Sequence, residues 1–565
     1  MIRSAHQSGS LFWLSAFALV ASVAFAGATR PGFAGDVVAQ VASVPALLAG
    51  LILTWRERDA HAWLLGWSTA VLLVILLQLV PLPPAVWAEL PFGPVVQDVN
   101  AMAGLPNEWR PISVSPHDTW LSLLSFLPPA AVFFSVLHLD DREKTRLFQI
   151  ALVAVLVSCA VGLWQVAAIS GYASTGERPQ SADPTGLFLN RNHFAALLYV
   201  GLLIAAAFMI DGWRHAMADP KLLGSISAFA APALSLLLIV MALGLIVLAR
   251  SRAGMIFAIA ALVGAALIGR LPDPRRLKRG ALRWIIAGGA AAFIIVSQYA
   301  FSRILYRFAE DPLQDGRTSI ADTAWATGWS LMPFGTGLGT FVPVYKAVEQ
   351  PSAALMGVYV NHAHNDFIEI WMETGLGGLL LLIFALIWLT RRLLVIFTSD
   401  AATWDSQGRL LTSAAGVVVI LLLAHSLVDY PLRTGAMAAI FALCCGVLAR
   451  PIGYGIPLGK RASETTGDKS GEWVPELPDV KTSSGPAFRQ YEISAAVVPA
   501  ACSGTLSTPE PEPNTLVDID RILLPSTESP LSRNPQAPQR GLPELGQDDA
   551  WPEQWRRPSR KNTGE

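Results

Sequence analysis

Charge is what this 565-residue chain has least of: 15% of its residues are Asp, Glu, Lys or Arg, against 53% hydrophobic ones. Mean hydropathy is +0.46. Soluble globular domains carry about a quarter charged residues, so an ordinary soluble enzyme is excluded and a polytopic membrane protein is predicted. Cysteine is nearly as scarce. Cys159, Cys444, Cys445 and Cys502 form no CxxC pair and stand at no ligand spacing to histidine. Neither a disulfide framework nor a zinc site is predicted, and the expected complement of metals and cofactors is none. The formal net charge of −1 says little, because the distribution of Lys and Arg across loops matters more than the total; no nucleic-acid partner is expected. Ionisable groups are also missing from the middles of the apolar runs, and no internal repeat is visible. Both absences weigh against a transporter, which places such groups or broken helices near the bilayer midplane, often in two related halves.

What is present is a series of apolar runs of spanning length, about twelve in all. They lie at 11–28, 37–54, 62–80, 119–138, 147–169, 193–211, 226–248, 254–270, 284–300, 376–390, 409–428 and 434–449. The first follows MIRSAHQSGS and has a signal-like AFAGA segment; with so many spans behind it, an uncleaved first helix is expected. Arg56 and Arg58, then Arg142, Lys144 and Arg146, then the basic residues from Arg270 to Arg283, then Arg391 and Arg392 fall in alternate loops. The positive-inside rule places those loops and both termini in the cytoplasm. The expected fold is an all-α polytopic membrane domain over 1–450, with long extracytoplasmic loops at about 81–118 and 301–363. Trp87, Trp109 and Trp120 are expected to anchor the first loop at the interface. Residues 451–565, rich in Pro, Ser, Glu and Gly, are expected to form a disordered cytoplasmic tail.

The segment Asn361–Gly378, NHAHNDFIEIWMETGLGG, passes from polar residues straight into an apolar helix. A helix beginning at about His362 would put His362, Asp366, Glu369 and Glu373 on one face. Such a face at a membrane boundary is tolerated where it lines a cavity, which makes this stretch the candidate site, with His364 beside it. Ahead of it, the glycines of GTGLGT would let backbone approach another group closely. Arginines on the outer side oppose the preferred insertion and are informative for that reason. They are Arg191 in NRNHFAALL, Arg250 and Arg252 in ARSRAG, and Arg303, Arg307 and Arg317 in the second loop. Guanidinium forks suit a lipid-linked phosphate or pyrophosphate. His425 and Asp429, spaced i, i+4 and followed by Tyr430 and Arg433, could meet on one helix face, as structural glue or as part of the site.

The order NRNHFAALL, SRAG, GRTSIADTAW, PFGTGLGTF, HNDFIEIWMETGLGG, over about 180–390, resembles the O-antigen ligase family, which includes O-antigen ligases and O-antigen or exopolysaccharide polymerases. The resemblance implies an inverting, metal-independent glycosyltransferase of the bacterial inner membrane. Its donor would be a glycan on undecaprenyl pyrophosphate, and its acceptor a hydroxyl of lipid A core, a growing glycan or a protein, met at the periplasmic face among membrane lipid. It assigns an essential histidine to His364 and pyrophosphate-holding arginines to Arg252 and Arg317; Arg191 and Arg303 are further substrate-binding candidates from their place on the outer side. His362, Asp366, Glu369, His425 and Asp429 are supporting candidates. Since His362 is an extra histidine, which of His362 and His364 acts is open at this point. The rival reading from another class is a lipid-linked oligosaccharide flippase.

Overall fold

A computed structural model describes residues 5–29, 32–105, 108–173, 183–218, 226–270, 312–349, 359–400 and 403–454. Among the described residues the chain is helical, without a strand longer than an isolated backbone pair. The helices are α1 (Ala5–Phe25), α2 (Ala34–Arg56), α3 (Arg58–Leu79), α4 (Pro84–Trp87), α5 (Gly93–Met102), α6 (Pro116–Leu124), α7 (Leu127–Val136) and α8 (Asp141–Ala173). After them come α9 (Arg191–Ala218), α10 (Ile226–Leu248), α11 (Arg252–Gly269), α12 (Pro312–Ser330), α13 (Phe341–Val348), α14 (Asp366–Thr398), α15 (Ser406–His425) and α16 (Gly435–Ala449).

Among the described residues nine helical stretches are long and apolar enough to cross a membrane, and Gly9–Phe25 and Gly435–Ala449 are shorter apolar helices. The expected span at 284–300, the basic loop around Arg275, Arg303, Arg307 and the tail beyond 454 lie outside the described residues. The expected span at 119–138 is two helices, α6 and α7, joined at Ser125 and Phe126, with proline entering the first turn of α7. Proline suits that turn because its missing N–H would have no intrahelical partner there.

The bundle is organised around α9, 94% of whose apolar window is buried. A helix apolar all round is stable only when surrounded; α8, α10, α11 and α15 surround it. The opposite case is α14, with only 11% of its apolar window buried. Its membrane half lies at the periphery against α3, where Trp63 packs on Trp388 and Trp67 donates its indole N–H to the Leu381 carbonyl.

The two long loops build a second, smaller core. Trp87, Leu90 and Phe92 from the first pack with Ile320, Ala324, Phe341, Val344 and Tyr345 from the second, and with Met372 of α14. Trp87 is buried and donates to the Glu108 carbonyl at 3.1 Å, whereas Trp109 and Trp120 are exposed. The three tryptophans expected to act alike therefore divide. Trp87 holds the loops to each other, and burying one ring of its size contributes about 3 kcal/mol, the amount its truncation typically costs.

Candidate active site

Gly375 breaks α14. With φ 57° and ψ −147° it leaves the helix for one residue, a conformation a side chain would make costly. An added Cβ there would stand 2.2 Å from the Pro333 carbonyl oxygen. Such a break frees carbonyls, and the GTGLGT loop takes them up: Thr336 N–H donates to Met372 O at 3.3 Å and Gly337 N–H to Glu373 O at 2.9 Å. Gln78, at the end of α3, ties the same junction. Its amide donates to Glu373 O at 2.9 Å and Phe334 O at 3.3 Å, and its carbonyl accepts from Leu338 N–H at 3.1 Å. The close backbone approach expected of these glycines is made onto α14.

The helix begins at Asp366, capped by Asn365, whose side chain accepts from Phe367 N–H and Ile368 N–H. His362 therefore precedes the helix, and the shared face consists of Asp366, Glu369 and Glu373. That face is turned to Arg433. Its Nε lies 3.3 Å from Asp366 Oδ1, and its Nη1 lies 2.9 Å from Glu373 Oε2 and 3.4 Å from Glu369 Oε1. Burial alone would lower the Arg433 pKa, but the three carboxylates outweigh it and raise it. One guanidinium cannot balance three carboxylates, and His362 supplies further positive charge.

The two nitrogens of His362 face two acceptors. Nδ1 is 2.8 Å from Glu369 Oε1, and Nε2 is 2.6 Å from the Thr29 carbonyl oxygen. Only the imidazolium, with both N–H groups present, satisfies both. Burial would push the His362 pKa down, but the Glu369 carboxylate more than offsets this, and the pKa stands above the usual imidazole value.

His364 is placed differently. Its backbone is left-handed, φ 52°, which costs a non-glycine residue about 1–2 kcal/mol and which histidine adopts more readily than most. The strain turns its ring away from the acid helix toward the segment after α15. Nδ1 is 3.4 Å from Asp429 Oδ1, within ion-pair range but beyond good hydrogen-bond length. Asp429 is fully buried. It accepts from the Tyr430 backbone N–H at 3.0 Å on Oδ1 and from the Asn192 amide on Oδ2. Burial would raise its pKa, but the His364 and His193 imidazoles and the Arg317 guanidinium hold it far below the ordinary carboxylate range. Behind Asn192, the Ser251 hydroxyl donates to Asn192 Oδ1 at 2.9 Å while accepting from Gly254 N–H to cap α11. A polar line thus runs from His364 through Asp429 and Asn192 to the helix that Arg252 opens.

Tyr430 is the hub of the imidazoles: its ring centroid lies 4.2 Å from that of His362, 4.9 Å from His193 and 5.0 Å from His364. Its hydroxyl donates to Asn361 at 3.3 Å and accepts from Asn190 at 3.4 Å. The expected pairing of His425 with Asp429 is not formed. Helix α15 ends at His425, whose Nδ1 meets the Tyr199 hydroxyl at 3.1 Å, and Asp429 lies in the turn beyond, aimed at His364. Arg191 and Arg250 share Asp183. The structure thus sets His364 against Asp429, with Arg317 acting on that carboxylate through its charge, puts His362, Asp366 and Glu369 in an adjoining ion cluster, and ties Arg191 to Asp183. Arg303 lies outside the described residues. Asn192, Ser251, Asp183 and Arg433 escaped notice as site residues in sequence, because no spacing within one helix connects them to their partners.

No curated protein matches the chain. Residues 236–383 match the family model described as O-antigen ligase. The matched stretch carries Arg252, Arg317, His364 and the acid face of α14, whereas Asn192, Asp429 and Arg433 lie to either side of it. Over that stretch the chain is similar to the O-antigen ligase family.

Proposed function

We propose that the protein transfers a glycan from undecaprenyl pyrophosphate to an acceptor hydroxyl at the periplasmic face of the inner membrane, with His364 as general base. The observation that carries this reading is the difference between the two histidines. His362 has both nitrogens committed to acceptors, whereas His364 is held by strained backbone with Nδ1 toward a buried carboxylate. A base oriented by a carboxylate is the arrangement that proton abstraction from a weakly acidic hydroxyl requires.

In this mechanism His364 Nε2 takes the acceptor proton as the acceptor oxygen bonds to C1 of the carrier-linked sugar. The bond from C1 to the pyrophosphate oxygen breaks on the opposite face, inverting the anomeric centre. Nδ1–H of the resulting imidazolium tightens onto Asp429, which needs no proton of its own. The departing pyrophosphate takes the electron pair, and Arg252 and Arg317 stabilise its charge; fixed guanidinium groups do this without reorganising. The acid cluster around Arg433 holds α14 and the preceding strand of residues against the turn after α15. The acceptor class separates ligase from polymerase within this one chemistry, and residues 451–565 serve as a cytoplasmic appendage outside it.

The test is release of undecaprenyl pyrophosphate by purified protein in detergent with EDTA present. Wild type releases it. His364→Ala, still folded and still binding the lipid-linked glycan, loses about a hundredfold to ten-thousandfold in the chemical step. Glycan that crosses a bilayer with its carrier bond intact would instead identify a flippase.

A further inference from the structure

Asp183 sits where two arginines from separate elements meet. Arg191 opens α9 and reaches one carboxylate oxygen through Nη1; Arg250, in the turn between α10 and α11, reaches the other through Nε and Nη2. The carboxylate side chain is 10% exposed, while those of Arg191 and Arg250 are 25% and 31% exposed. One carboxylate against two guanidiniums leaves an excess positive charge. Each guanidinium has five N–H donors, most of them beyond what Asp183 takes up. Arg250 also has a left-handed backbone, φ 52°, which a non-glycine residue adopts only when its surroundings impose it.

The two arginines flank the polar line behind the base. Arg191 precedes Asn192, whose amide donates to Asp429, and Arg250 precedes Ser251, whose hydroxyl donates to Asn192. Whatever fixes the pair is therefore fixed relative to His364. Two bare guanidiniums repel each other; a carboxylate between them removes that repulsion and sets their separation, so that a dianionic ligand meets both at once.

We infer that Asp183 is a positioning residue that assembles Arg191 and Arg250 into a paired anion clamp for the donor's pyrophosphate. The inference rests on the transferase reading above. Asp183 touches neither the glycan nor the reacting atoms. Its contribution is to donor affinity, and it leaves the chemical step to His364.

The experiment compares full-length wild type, Asp183→Asn and Asp183→Glu in detergent, measuring donor KM, kcat and the binding of inorganic pyrophosphate by calorimetry. Asp183→Asn should raise donor KM and weaken pyrophosphate binding by about tenfold, the loss expected when charge-assisted hydrogen bonds are misaligned. It should leave kcat within about twofold, because the base and its carboxylate are untouched. Asp183→Glu should restore most of the affinity. If Asp183→Asn fails to accumulate, Arg250→Lys, which keeps the charge and loses the fork, should show the same rise in KM alone. Unchanged or tighter pyrophosphate binding, or a fall in kcat at constant KM, overturns the inference. The calorimetric arm needs no turnover. Loss of turnover in His364→Ala beside a silent Asp183→Asn would remove this inference alone, whereas wild type that cleaves no sugar–pyrophosphate bond would remove the transferase reading first.

Discussion

His364 Nδ1 and Asp429 Oδ1 stand 3.4 Å apart, and the carboxylate that faces the imidazole is fully buried. Because Asp429 is fully buried, its orientation is set by Asn192 and the Tyr430 N–H. Asp429→Asn keeps the shape and removes the charge that would stabilise an imidazolium. We expect kcat to fall by about a hundredfold with donor KM nearly unchanged, since the base weakens while the arginines remain. Steady-state kinetics on the folded variant check this; a normal kcat would separate Asp429 from the chemistry.

The pH dependence of stability should report His362. Its pKa is raised in the folded protein. A group raised on folding contributes stability fully below its unfolded pKa, about 6.5 for histidine, and loses that contribution as pH rises through the folded value. The melting temperature in detergent should therefore decline from neutral into alkaline pH. His362→Gln should melt lower at pH 6 and show a flatter decline. A variant whose slope matches that of wild type would mean that the imidazolium bridge to Glu369 and Thr29 is not what titrates.

Arg433 faces Asp366, Glu369 and Glu373 within 3.4 Å. Arg433→Met leaves those buried carboxylates to one another and to His362. The expected loss is about 3–5 kcal/mol, the range for removing one partner of a buried ion pair. Adding Glu373→Gln should recover part of it. Thermal unfolding of the single and double variants measures both, and purely additive losses would show that the groups do not act as a network.

Gly375→Ala should be among the most damaging small changes in the chain. The residue must hold φ 57° and ψ −147° with the Pro333 carbonyl oxygen 2.2 Å from any Cβ. Backbone strain alone costs about 1–3 kcal/mol, and the clash adds to it. We expect little protein to accumulate in the membrane. Gly66→Ala, where a Cβ would meet nothing within 4 Å, is the control and should accumulate normally.

Nine helical stretches of spanning length among the described residues were legible because apolar runs of bilayer length leave few alternatives, and the acid face was legible because Asp366, Glu369 and Glu373 follow helical spacing. What opposes that face was not. Arg433 reaches it from a turn far along the chain, and no periodicity links the two. The choice between His362 and His364 was equally hidden, since both stand in one short polar motif. The proposal of His364 rests on its left-handed backbone and on the Thr29 carbonyl that engages His362. Spacing suggested His425 for Asp429, but α15 stops at His425, and the turn that follows redirects the carboxylate. Trp87 looks like Trp109 and Trp120 in sequence, and only the folding of the two loops on each other buries it.

Gln78 gives α3 the part of a ruler. Its single amide holds the broken end of the acid helix and the GTGLGT loop together, so the height of that junction is counted along α3, not along the exposed apolar half of α14. One residue inserted in α3 ahead of Gln78 turns that amide by about 100° and moves it by about 1.5 Å, which takes it off all three of its partners at once. One residue inserted in α14 well past Gly375 moves only a peripheral helix and leaves the height of the site unchanged.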